Sequence, residues 1–256
     1  MILLQHLTKK FGSQVAVDDL SFEVPAGQIV GFLGPNGAGK STTLKMLTGM
    51  LEPSSGTATI GGYDLRTQVL EVKRHVGFVP ESGAVFESLT GLEYLEMVAA
   101  LYAIPQEAAR ARIKQFIAFF DLSYETLTDK LLGAYSKGMR RKVVITSALL
   151  HNPPVVFFDE PLDGLDATAA VGFKTLIQTL AREGKTIVYS SHILDVVERV
   201  CDRVIIIDKG KLLLDGRPDE LVACHNSGTL ERLFTQLTGG SELERRAEDF
   251  AKTFRP

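Results

Sequence analysis

The chemistry is legible first in Gly34-Pro35-Asn36-Gly37-Ala38-Gly39-Lys40-Ser41, which fits G-x-x-x-x-G-K-[ST] and falls between an apolar strand, Gln28–Leu33, and a helix beginning near Lys40. Glycines at this spacing let successive backbone N–H groups converge on an anion, and a helix N-terminus adds its partial positive charge at the same point. Lys40 is placed to reach the β- and γ-phosphates of a nucleotide, the Ser41 hydroxyl to hold Mg²⁺, and Thr42 continues the loop into the helix. The second chemical feature is Val155-Val156-Phe157-Phe158-Asp159-Glu160-Pro161, an apolar strand ending in two adjacent carboxylates. Neighbouring strand residues point to opposite faces, so both acids can serve one site only where the strand ends, and Pro161 is expected to end it. Asp159 would then bind the metal, and Glu160 would orient and deprotonate an attacking water.

These groups need a frame. Up to about Pro80 the chain reads as short strands (Ile2–Leu7, Ser21–Val24, Gln28–Leu33, Thr57–Ile60, Val76–Val79) broken by one helix, Lys40–Met50. Between about Leu89 and His151 the period becomes helical, with Leu92, Leu95, Val98, Ala99 and Tyr102 on one face and Ile113, Phe116, Ile117 and Phe120 on another. After Pro153-Pro154 strands and helices alternate: Val155–Phe158, about Asp166–Arg182, Thr186–Ser190, Ile193–Val200 and Val204–Asp208. That alternation predicts a largely parallel sheet covered by helices. Two short helices, Asp219–Ala223 and Thr229–Leu237, precede a Gly239-Gly240 break and a charged tail.

A net charge of -3 without a uniform charge run gives no basis for nucleic-acid binding. Cys201 and Cys224 have neither zinc-site spacing nor disulfide density and read as structural thiols of a reducing compartment. No segment approaches the roughly 18 consecutive apolar residues of a membrane span, and the Met1–Lys10 segment lacks the zones of an export signal. Any membrane role is expected to be peripheral.

Tyr135-Ser136-Lys137-Gly138-Met139, opening a helix just before the strand that ends in Asp159, resembles the LSGGQ signature of ABC transporter ATPases. Taken alone it is a weak pattern, and Ser136 would serve equally as a plain helix N-cap. With Gly34–Ser41 before it and Asp159–Glu160, Pro161–Asp166 and His192 after it, the resemblance covers nearly the whole chain. It implies an α/β P-loop NTPase fold with a RecA-like core sheet, an N-terminal antiparallel β subdomain and an inserted α-helical subdomain at about 82–154. The ATP-binding domain would span 1–239, with a charged tail at 240–256.

The resemblance further implies ATP and Mg²⁺ as ligands and a second ATP-binding subunit, identical or different, whose γ-phosphate is met by Ser136 and the Gly138 N–H. It implies separate transmembrane permease subunits and a place on the cytoplasmic face of the membrane. Phe11 stands where an aromatic ring stacks on adenine, Asp163 in the loop joining two active sites, and His192 where a histidine contacts the γ-phosphate and positions Glu160. Three departures stand out: Glu81 replaces the glutamine that binds Mg²⁺, Lys137 replaces the first signature glycine, and Met139 replaces the signature Gln. A carboxylate at 81 still ligates Mg²⁺. With the compact size, these features resemble ATPase subunits of bacterial drug and polysaccharide exporters. The alternatives are an importer subunit or a soluble DNA-maintenance or ribosome-associated ATPase. The first soluble kind carries a long coiled coil and the second two cassettes, whereas this chain shows one short insertion and one cassette.

Overall fold

A computed structural model describes residues 1–239 together with 246, 250, 252 and 254. Apart from those last four positions, the tail expected at 240–256 lies outside the described residues. In chain order the elements are β1 (Ile2–Phe11), β2 (Gln14–Val24), β3 (Ile29–Leu33), α1 (Lys40–Leu47), β4 (Ser55–Ile60), β5 (Tyr63–Asp64), α2 (Val69–His75) and β6 (Val76–Val79). The helical section follows, with α3 (Gly91–Leu101), α4 (Gln106–Phe119), α5 (Tyr124–Asp129), a 3-10 turn (Leu132–Ala134) and α6 (Lys137–Leu149). The chain then runs through β7 (Val155–Asp159), α7 (Ala167–Arg182), β8 (Thr186–Ser190), α8 (Leu194–Val200), β9 (Arg203–Asp208), β10 (Lys211–Gly216), α9 (Pro218–Cys224) and α10 (Leu230–Leu237).

Two sheets form. One is antiparallel, in the order β2-β1-β4-β5, and the other has the order β10-β9-β3-β8-β7-β6, with every neighbouring pair parallel except β10 against β9. Strands β3, β7 and β8 are buried at every position because the parallel sheet is covered on both faces. The two-residue period of β7 divides it between two cores. Val155 and Phe157 join Leu4, Leu20 and Ala58 of the antiparallel sheet, while Val156 and Phe158 join Phe173, Ile177 and Val197 of the helices α7 and α8. A third core lies within the helical section, where Leu95 of α3, Ile113 and Ile117 of α4, Leu127 of α5 and Val143 of α6 meet. Helix α3 starts with a capping box, in which Thr90 accepts from Glu93 N and Glu93 accepts from Thr90 N.

The structure departs from the sequence expectation at several points. Strand β2 begins at Gln14 rather than Ser21, and Asp19 at φ 58 sits at a register shift against β1. The acidic interruption Asp18-Asp19 is therefore a bulge within a strand rather than the end of a turn. Helix α1 stops at Leu47 instead of Met50, since Gly49 at φ 67 turns the chain away. Helix α2 and strand β10 were not anticipated: α2 buries only Val72, and β10 is an edge strand with Leu212 and Leu213 exposed. Arg203 Nε and Nη2 donate to the two carboxylate oxygens of Asp215 and tie that edge to β9.

Candidate active site

The phosphate-loop segment is shaped by close approach. A Cβ on Gly34 would lie 2.5 Å from the Ile207 carbonyl oxygen, and one on Gly39, at φ 104, would lie 2.5 Å from that of Ala16. Neither position can carry a side chain without moving the backbone. The turn is closed by Ala38 N donating to Pro35 O at 3.1 Å and is stitched to the β9–β10 corner by Gly210 N donating to Ala38 O at 2.9 Å. The first turn of α1 has no side-chain cap and no acid, which leaves its N–H groups for an anion. Lys40 Nζ donates to Gly34 O at 2.5 Å and to Pro35 O at 3.2 Å, so the ammonium curls over the loop. Burial pushes its pKa below the usual lysine range, against the opposing pull of Glu160, Asp159 and Glu81.

Strand β7 delivers the two acids. Asp159 is only 4% exposed, and Glu160 follows it in the left-handed region at φ 50, its N–H donating to Ser190 O at 3.0 Å. The chain thus turns at Glu160 itself, one residue earlier than the expected stop at Pro161. A left-handed glutamate costs about 1–2 kcal/mol, and here it lets consecutive carboxylates face one cavity. Glu160 Oε2 lies 2.9 Å from His192 Nδ1, beyond the end of β8. The Glu160 side chain is 13% exposed and that of His192 is 75% exposed. Burial pushes the Glu160 pKa above the usual carboxylate range, and His192 opposes that shift by its charge and its hydrogen bond.

A cavity of about 600 Å³ gathers Phe11, Pro35 to Thr42, Glu81, Asp159 and Glu160. Phe11 is 50% exposed at the cavity wall and is not part of the core. Gly34 forms the base of the turn. Ser41, Glu81 and Asp159 present oxygen donors to the same space, the donor type that suits a hard divalent cation. Among the described residues no group of three or more His, Cys, Asp and Glu could hold a metal. An ion here would therefore complete its shell from phosphate oxygens and water.

Ser136, Gly138 and Asp163 form a separate group. Ser136 Oγ caps α6 by accepting from Met139 N at 3.2 Å, and Gly138 packs against the Gly164 carbonyl, where a Cβ would collide. Lys137 Nζ lies 2.6 Å from Asp163 Oδ2, and that bond holds the Asp163 carboxyl below its usual range. None of the three lines the cavity. Sequence reading missed Gln14 and Lys209 of the cavity wall, although Lys209 follows β9 at the carboxyl edge of the parallel strands, where ligands of such sheets bind. It also missed Arg141, whose signal is a charge on the inward stripe of α6 that continues through Ile145 and Ala148.

A parallel sheet in which a glycine loop leads from β3 into a helix, and two acids stand at the end of β7 one strand beyond its neighbour β8, defines a nucleoside-triphosphate-hydrolysing enzyme of the P-loop class. The comparisons narrow this. The ABC transporter family profile matches residues 17–163, and the chain belongs to that family. It is 38% identical over 240 residues to the ABC transporter ATP-binding protein NatA of Bacillus subtilis, covering 91% of this chain and 96% of that one. It is 35% identical over 218 residues to the Nod factor export ATP-binding protein I of Burkholderia lata, covering 85% and 71% respectively. A solved dimeric ATP-binding cassette in a post-hydrolysis state, bound to ADP and Pi, superposes with a TM-score of 0.78 at 26% identity, covering 85% of this chain and 98% of that one. The protein binds ATP and is an ATPase.

Proposed function

We propose that the chain is the motor subunit of an exporter, hydrolysing ATP at the inner face of a membrane and passing the work to separate transmembrane permease subunits. The observation that carries the reading is the Glu160–His192 pair at 2.9 Å, in which Glu160 lines the same cavity as Lys40 and the phosphate loop and His192 backs it from outside that lining. Loop N–H groups and Lys40 hold the β- and γ-phosphates, and Phe11 stacks on the adenine. Ser41, Asp159 and Glu81 would hold Mg²⁺, which when bound neutralises charge building on the phosphate oxygens. Glu160 accepts the proton of the attacking water, and His192 keeps its carboxylate ionised and oriented.

Ser136 and Gly138 belong, in this reading, to the site of a second ATP-binding subunit, identical or different, with Asp163 in the loop between the two sites. Their place outside the chain's own cavity and the dimeric solved cassette support this. The exporter assignment draws on the relative named for Nod factor export. Among the described residues no helix is long and apolar enough to cross a membrane, and the path is assigned to the permease. Residues 1–239 are taken as the ATP-binding domain, with its helical subdomain at about 82–154 and a tail at 240–256.

Glu160→Gln tests the reading. Gln keeps the reach of Glu but cannot take the proton, so hydrolysis should fall by about 10²–10⁴ while ATP binding persists. With hydrolysis blocked, ATP should hold two chains together, measured by size-exclusion chromatography with light scattering in Mg-ATP and in ADP, without and with the permease. Wild-type turnover in the variant would remove Glu160 as the base. A monomer in Mg-ATP even with the permease present would remove the composite site.

A further inference from the structure

Arg141, on α6, is 2% exposed, yet among the described residues no carboxylate accepts its hydrogen bonds. Its fork reaches three backbone carbonyls instead: Nη1 donates to Pro80 O at 2.7 Å, Nη2 to Glu81 O at 2.7 Å and Nε to Asp163 O at 3.3 Å. The first two acceptors lie where the chain leaves β6 and the third where it leaves β7, so one side chain pins both loops to one helix. Burying a guanidinium is unfavourable unless it is hydrogen-bonded and its charge balanced. Burial does depress the Arg141 pKa, and Asp163, Asp159, Glu81 and Glu160 counter it in that order. The cation therefore sits among the acids of the site while bonding only to backbone. Elsewhere on this stripe α6 fills its inward positions with Ile145, Ala148 and Leu149, which suffices where packing alone is required.

We propose that Arg141 is a positioning residue for hydrolysis, fixing the backbone of the Glu81 and Asp163 loops onto the helix that carries Ser136 and Gly138. The inference rests on the reading of Glu81 as a metal-side residue and of Asp163 as part of the loop between sites. Because the acceptors are carbonyls, the identity of either loop side chain is free to vary while its placement is held. A lysine at 141 would keep the charge but replace a planar fork with a flexible point donor, which cannot span three carbonyls in fixed geometry.

Arg141→Lys in the full chain is the test, because it leaves the charge in place and changes only the geometry. Metal-free binding of a labelled ATP analogue should stay within about twofold, while kcat falls roughly 10–100-fold. The Mg²⁺ concentration for half-maximal activity should rise severalfold. Hydrogen exchange should quicken at 81–83 and 163–165 and not in β3 or α1. Unchanged kcat with unchanged loop exchange would overturn the proposal. So would a loss that tracks melting temperature and metal-free nucleotide binding together, the pattern of a purely structural side chain. If Arg141→Lys does not fold, Arg141→Gln takes the same exchange and kcat measurements. Asp159→Asn is the control: if it leaves the Mg²⁺ requirement unchanged, the metal reading has failed, while loop exchange, which involves no metal, still decides whether Arg141 holds the loops.

Discussion

His192 Nδ1 sits 2.9 Å from Glu160 Oε2 at the ends of two neighbouring parallel strands, a largely exposed imidazole against a largely buried carboxylate. Burial raises the Glu160 pKa, so the acid limb of the kcat profile should lie above the usual carboxylate range. His192 works in the opposite sense, so His192→Ala should move that limb to higher pH as well as lower activity at neutrality by about 10²-fold. Steady-state ATPase rates across pH test this. A limb left in place would show that His192 does not act through Glu160.

Lys40→Ala should abolish tight nucleotide binding without unfolding the chain. Among the described residues its ammonium bonds only to carbonyls of its own loop, and burial disfavours it, so removing it should leave the nucleotide-free melting temperature unchanged or slightly higher. Equilibrium binding of a labelled ATP analogue should show a loss of about 10²-fold or more. Unchanged affinity would remove the phosphate-loop assignment.

Glu81→Gln should leave ATPase activity within about tenfold of the parent. The Arg141 bond at this position goes to the backbone carbonyl of Glu81, which the substitution preserves, and an amide oxygen still ligates a hard cation. Titrating activity against Mg²⁺ separates the effects, because a weaker ligand raises the Mg²⁺ requirement more than it lowers the maximal rate. A collapse comparable to that of Glu160→Gln would make Glu81 a participant in the chemistry.

His151 stacks on Tyr102 with ring centroids 3.7 Å apart, and burial lowers its pKa from 6.5 to about 4. The folded chain therefore binds this proton less readily than the unfolded chain. The contribution is absent above pH 6.5, and stability is progressively lost as pH falls from there towards about 4. His151→Gln removes that penalty. The melting temperature of the variant, compared with that of the parent, should improve as the buffer is acidified through this window, and a constant difference would show that His151 does not titrate as described.

The site was more legible than its frame. Gly34 to Ser41 and Asp159-Glu160 announce themselves because their geometry is local, a loop between a strand and a helix and a strand that ends. Fully buried β3, β7 and β8 were readable as apolar runs for the same reason. Helix α2 left no pattern because a helix that buries one residue shows no period, and β10 because this edge strand leaves Leu212 and Leu213 in solvent and turns only Leu214 to the core. Arg141 showed only as a charge on an apolar stripe, and its role was not legible because its partners are carbonyls, which every residue has. Only the fold brings positions 80, 81 and 163 within reach of one guanidinium.

The bond from Gly210 to Ala38 continues through Gly210 O, which accepts from Asp18 N at 2.9 Å. Three segments distant in the chain, one from each sheet and one from the phosphate loop, are thus laced into a single block. Asp18 lies in the strand paired with the one that ends at Phe11, and Ala38 lies two residues before Lys40, so the lacing ties both ends of the cavity to one backbone frame. Under the exporter reading proposed above, a stroke would fall to the helices α3 to α6, which form one inserted stretch of chain and take no part in this lacing. In mechanical terms the chain is an anvil and an arm, and the lacing at Gly210 makes the anvil.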